Sequence, residues 1–98
     1  ALAIKPDFAE AHYNLGNTFS ELSEFGAAVK SYEQALAIKP DYAEAHCNLG
    51  NVLKELGQLD AAIKSYEQTL AIKPDLAEAH SNLGNALKEL GQLDVVVK

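Results

Sequence analysis

Arginine is missing from this 98-residue sequence, and its eight cationic side chains, all lysine, stand against fourteen carboxylates for a net charge of −6. Without arginine there is no bidentate fork for phosphates or base edges. An acidic chain also lacks the sequence-independent attraction on which nucleic-acid binding depends, so no nucleic-acid partner is expected. Cysteine occurs once, at Cys47, which rules out an internal disulfide and any multi-cysteine metal site. A lone thiol fits a reducing, cytoplasmic compartment. No apolar run nears the ~20 residues of a membrane helix, and no basic leader with an apolar core stands at the start, so no membrane partner is expected either. Proline and glycine are scarce, at three and six residues, while apolar residues make up 48%, with alanine and leucine dominant. That balance belongs to a folding, helix-prone chain rather than a disordered one.

What is present is periodic. Pro6, Pro40 and Pro74 are spaced 34 residues apart, inside the segments AIKPDFAEAHYNLGN, AIKPDYAEAHCNLGN and AIKPDLAEAHSNLGN. A fixed period of this length marks stacked supersecondary units, each too small to bury its own apolar face. Each unit holds two helical patterns, A and B. Asp7, Asp41 and Asp75 precede helix A, with Glu10, Glu44 and Glu78 three residues on, the spacing of a capping box. The proline before each aspartate ends the preceding helix. Helix A of the first unit carries one stripe, His12, Leu15, Gly16, Phe19 and Leu22. Helix B carries Ala28, Val29, Tyr32, Ala35 and Leu36, repeated as Ala62, Ile63, Tyr66, Thr69 and Leu70. Gly57 and Gly91 are placed to stop helix A with a left-handed C-cap. Ser23 takes that place in the first unit, which predicts a slightly different A–B turn there.

The pairs Leu15–Gly16, Leu49–Gly50 and Leu83–Gly84, the small Ala28 and Ala62, the aromatic Tyr32 and Tyr66, and the closing Pro40 and Pro74 resemble the tetratricopeptide repeat family. The resemblance covers essentially the whole chain. It implies an all-α fold, a right-handed superhelix (α-solenoid) of antiparallel helix pairs. The expected division is residues 1–8 as the tail of a preceding helix B with its turn, repeat 1 at 9–42, repeat 2 at 43–76, and a partial repeat 3 at 77–98. Glycine on A opposite alanine on B is expected to let the helices approach, with tyrosine in the adjacent gap. Histidine stands at 12, 46 and 80 where the family often has tryptophan, and Val96, in place of Ala28 and Ala62, is expected to crowd Gly84.

The register makes residues 94–98 the first turn of another helix B, so both ends read as cuts through B helices of a longer array. Two copies stacked head to tail would nearly rebuild one helix B, an open, heterologous self-association.

Opposite the apolar stripe, each helix A carries a line of polar residues: Glu10, Asn14, Asn17 and Glu21, then Glu44, Asn48, Asn51 and Glu55, then Glu78, Asn82, Asn85 and Glu89. The family resemblance places this line in the concave groove. A carboxamide offers both a donor and an acceptor, so the asparagines could grip the main chain of an extended peptide. The competing reading is that they are repeat consensus residues bonding neighbouring helices. Tyr13 is placed for ligand contact, and Lys54 and Lys88 lie near the groove, each followed by a glutamate. The expected site is therefore Asn14, Asn17, Asn48, Asn51, Asn82, Asn85, Tyr13, Lys54 and Lys88. The subgroup that grips a C-terminal carboxylate with lysines is not matched, because Tyr13, Cys47 or Ser81 precedes the first asparagine of each unit.

Neither metal nor cofactor is expected. Equivalent histidines on helices packed 8–10 Å apart cannot converge on one zinc at ~2.0–2.1 Å without distortion, so they read as packing residues. Cys47 beside His46 is no nucleophile–base pair, since adjacent helical residues point apart, and it reads as a small groove residue. Asp60 and Lys64 read as an exposed i,i+4 pair. The leading function is a protein–protein interaction scaffold, not an enzyme, that takes an extended peptide or a helix in its groove. The alternatives are a substrate-recognition segment of a larger enzyme, the asparagines being similar to those in the repeats of protein O-linked N-acetylglucosamine transferases, and a structural repeat assembling through its ends.

Overall fold

The computed structural model describes the backbone of residues 6–97 and the side chains of residues 8–92. Five helices follow one another: α1 (Pro6–Glu21), α2 (Phe25–Ile38), α3 (Ala43–Glu55), α4 (Leu59–Ile72) and α5 (Ala77–Val97). There is no strand among the described residues. Consecutive helices pack on each other, and α1, α3 and α5 also touch as successive neighbours. This is an all-α helical repeat: α1 pairs with α2, α3 with α4, and the three A helices line up side by side. The Cα envelope, 57 × 29 × 17 Å, is elongated as stacking requires.

The core follows the B-helix stripe. Ala28, Tyr32, Ala35, Ala62, Tyr66 and Thr69 are buried, and Leu49, Val52 and Leu53 meet them from α3. Thr69 keeps its hydroxyl satisfied by donating to the Ser65 carbonyl at 2.9 Å. The glycine of the Leu-Gly pair faces the tyrosine rather than the alanine. A Cβ on Gly16 would lie 2.7 Å from the Tyr32 ring, and one on Gly50 would lie 2.7 Å from the Tyr66 ring. The missing side chain makes room for an aromatic ring. On the A stripe Leu49 is buried but Leu15 is exposed, because no described helix covers that flank of α1, while Leu22 and its counterpart Leu56 are exposed in both units.

The two A–B turns are the same turn, contrary to the expected difference. Gly57 takes φ 81° and Ser23 takes φ 61°. In both, the next amide closes the six-residue loop (Gln58 to the Leu53 carbonyl at 2.9 Å, Glu24 to the Phe19 carbonyl at 2.8 Å). Each is a Schellman end, which the first hairpin makes with a residue that pays for its Cβ.

Several other local expectations fail. The capping box does not form at Asp41. Pro40 occupies the second position of a turn closed by the Tyr42 amide on the Lys39 carbonyl at 3.1 Å, so Tyr42 becomes the N-cap, with no side-chain cap bond. Gly91 does not stop a helix: α5 runs through it to Val97, and residues 94–97 continue that helix instead of beginning a new one. Residues 92–97, four of them apolar, do not start a separate helix; nucleating one costs more than extending α5 through an internal glycine at ~1 kcal/mol. Position 96 therefore sits ~18 Å along the same helix from Gly84, where an added Cβ would meet nothing within 4 Å, so the expected crowding is absent. Finally, Asp60 and Lys64 form no ion pair. The one salt bridge among the described residues joins Lys73 Nζ to Glu44 Oε2 at 2.8 Å.

The expected helix-B tail at residues 1–5 lies outside the described residues. With the far end continuing α5, the helix B that head-to-tail stacking was expected to complete is not begun there. No described helix is long and apolar enough to cross a membrane.

Candidate functional site

The polar line of the A helices is held by a bonded network. Tyr32 Oη donates to Asn17 Oδ1 at 2.6 Å, and Asn48 Nδ2 donates to the same oxygen at 2.9 Å. One hairpin further on, Tyr66 Oη donates to Asn51 Oδ1 at 2.6 Å, and Asn82 Nδ2 joins it at 3.0 Å. Each shared oxygen thus ties a B-helix phenol, an A-helix amide and the next A helix. This repeats with the sequence period because the helical offset places the second asparagine of one unit beside the first of the next.

Asn48 Nδ2 also donates to Tyr13 Oη at 3.1 Å, and Tyr13 stacks obliquely on Tyr42 and Tyr32 with ring centroids 4.8 and 6.0 Å away. Tyr13 is therefore an inter-hairpin packing residue, half-buried. Cys47 occupies its place in the second unit and belongs to the buried core rather than the groove wall. Burial, then the Glu78 carboxylate, pushes its thiol up to about 11, while a bond from Asn82 opposes the shift. It stays protonated at neutral pH and is a poor nucleophile. Burial, then Tyr13, pushes the Tyr32 hydroxyl up to about 12. It remains a donor to Asn17.

Two concavities lie along this network. The larger, about 500 Å³, is lined by Ser20, Phe25, Asn51, Lys54, Glu55, Glu78 and Asn82. The smaller, about 260 Å³, is lined by Asn17, Ser20, Glu21, Tyr32, Asn48 and Asn51. Five of the nine expected site residues, Asn17, Asn48, Asn51, Asn82 and Lys54, are thereby brought together. Asn14, Asn85 and Lys88 are exposed and line neither concavity, and Tyr13 lines neither but sits in its aromatic cluster. Glu21, Glu55, Glu78, Tyr32, Ser20 and Phe25 line the concavities but are outside the expected site. The signal for Ser20 was its place where the later units carry Lys54 and Lys88, which opens space in the first unit.

His46 and His80 serve the inter-hairpin turns. His46 Nε2 donates to the Pro40 carbonyl at 2.9 Å, and His80 Nε2 to the Pro74 carbonyl at 2.6 Å. The imidazole closes each turn by satisfying the proline carbonyl.

The comparisons with known proteins agree with this architecture. The model of the TPR repeat family matches residues 16–57 and 50–91. The chain belongs to the tetratricopeptide repeat family. Among solved structures it is similar to that of MamA, with a TM-score of 0.85 and 35% identity over 95% of this chain and 54% of that one. It thus spans about half the length of MamA. It shares its fold with the second TPR of Spaghetti (RPAP3), solved bound to the HSP90 peptide SRMEEVD, with a TM-score of 0.85 at 20% identity over 91% of this chain and 82% of that one. The first TPR of the same protein, bound to the same peptide, gives 0.87 at 17% over 96% and 75%. Comparison with curated proteins gives no match.

Proposed function

We propose that this chain is a protein-interaction scaffold whose concave face holds the main chain of an extended peptide. The observation that carries this reading is the pattern of asparagine valences left over by the network. Asn17 and Asn51 use their oxygens internally, and Asn48 and Asn82 use their amide nitrogens. What has no partner among the described residues is a donor at 17, an acceptor at 48, a donor at 51 and an acceptor at 82. An extended peptide presents the complementary alternation of C=O and N–H. The shared oxygens also hold the amides in one orientation, which lowers the ordering cost of binding. Family membership and the peptide-bound fold relatives support the scaffold class. The likeness to the glycosyltransferase repeats rests on asparagines that already have a structural task here, so it adds no support for an enzyme segment.

Ser20 borders both concavities, is half-buried and has no bond in the network. Ser20→Trp plugs the groove and leaves the asparagine row intact. Peptide binding by titration calorimetry is expected to be lost, with the helical circular dichroism and melting temperature close to wild type. A Ser20→Trp variant that still binds with wild-type affinity overturns the groove.

A further inference from the structure

The concave face is unevenly charged. Six glutamates stand on the polar lines of the A helices, against Lys54 and Lys88. The two concavities themselves are lined by Glu21, Glu55 and Glu78 and by one lysine, Lys54, for a net charge of −2. None of these four is in a salt bridge, since the one pair among the described residues, Lys73 with Glu44, involves none of them. Their fields are therefore not cancelled locally, and a concave wall concentrates them. The negative field extends inward: burial first, then Cys47, Glu78, Glu89 and Glu55, raises the Tyr66 hydroxyl.

The larger concavity also holds Phe25 beside Glu55 and Glu78. A lysine or arginine side chain entering it meets two carboxylates and an aromatic ring, each attractive to a cation. An aspartate or glutamate meets the same carboxylates as repulsion, with Lys54 as the single counterweight. Resting on the groove reading above, we infer that the segment the groove takes is basic: its main chain lies on the asparagine row and its lysine or arginine side chains enter the two concavities. Acidic segments such as SRMEEVD, to which the RPAP3 repeats are bound, are disfavoured here.

The test is selection from a random heptapeptide library on the immobilised 98-residue chain, with elution by salt and counter-selection on Ser20→Trp. Selected peptides are expected to be enriched in lysine and arginine and depleted in aspartate and glutamate. Binding of a selected peptide is expected to weaken about tenfold in the E21Q/E55Q/E78Q variant, as three exposed pairs lost together imply. It stays within about twofold in E33Q/D60N/E67Q, which removes the same charge from exposed positions outside the groove, where only local pairs and not net charge matter at ordinary ionic strength. Selected peptides without charge bias, or with an acidic one, overturn the inference and leave the groove standing. So does an equal loss in both triple variants, which would mean that net charge alone attracts the peptide. Failure to select any peptide sensitive to Ser20→Trp overturns the groove and this inference together.

Discussion

Helices α1 and α3 are written in nearly the same residues and live in different surroundings. Leu49 on α3 is 8% exposed while its counterpart Leu15 on α1 is 45% exposed, and Ala45 is buried while Ala11 is exposed. The difference lies in the neighbours. α3 packs between α2 and α4, whereas among the described residues α1 has only α2 on its flank and α3 beside it. The same stripe is core in one place and surface in the other. Burial in a stacked array is thus a property of the pair of units, and a single unit's sequence states only what could be buried.

The inter-hairpin turns give a second contrast. Lys73 donates to Glu44 at 2.8 Å, and this bond lowers the Glu44 carboxyl below its usual value. The equivalent Lys39 lies instead over the Tyr42 ring, 4.7 Å from its centroid. The third unit has Leu76 where the second has Tyr42, so no ring competes for Lys73. One aromatic residue redirects a lysine from a carboxylate to a π face.

Pairs of equivalent substitutions sharpen the comparison between covered and open positions. Leu49→Ala should cost about 3 kcal/mol in urea unfolding, as a buried leucine does, while Leu15→Ala should cost under ~1 kcal/mol. Equal costs would mean that α1 is covered in solution. Gly50→Ala drives a Cβ into the Tyr66 ring and should cost about 2 kcal/mol, whereas Gly84→Ala, with open space around it, should be neutral or stabilise by up to ~1 kcal/mol through helix propensity. A similar loss at both positions breaks the assignment of Gly50 to ring accommodation. The smallest pair concerns the A–B turns. Ser23→Gly should raise stability by about 0.5–1 kcal/mol and Gly57→Ser lower it by a similar amount, both read from melting curves, because both positions hold positive φ.

The 34-residue period and the two stripes made the hairpins legible, since they depend only on residues within each unit. Gly91 misled because glycine permits a C-cap without imposing one, and α5 runs on through it at ~1 kcal/mol cost. The Asp-x-x-Glu spacing misled because Pro40 spends Asp41 on the turn and moves the N-cap to Tyr42. In the groove, the face of the asparagines was readable and their bonds were not. Whether a carboxamide turns outward or spans to the next helix depends on the phenol opposite. Tyr32 and Tyr66 are known from sequence only as core-filling rings, with no sign of where their hydroxyls end.

The shared oxygens of Asn17 and Asn51 make the array behave like a wound spring latched along one edge. Sliding one hairpin past the next must break the asparagine–asparagine bond at that oxygen and loosen the phenol that orients it. A guest that grips the remaining valences of the same carboxamides pulls on the latch itself. Under the proposed groove reading, occupancy of the groove would be coupled to the pitch of the coil.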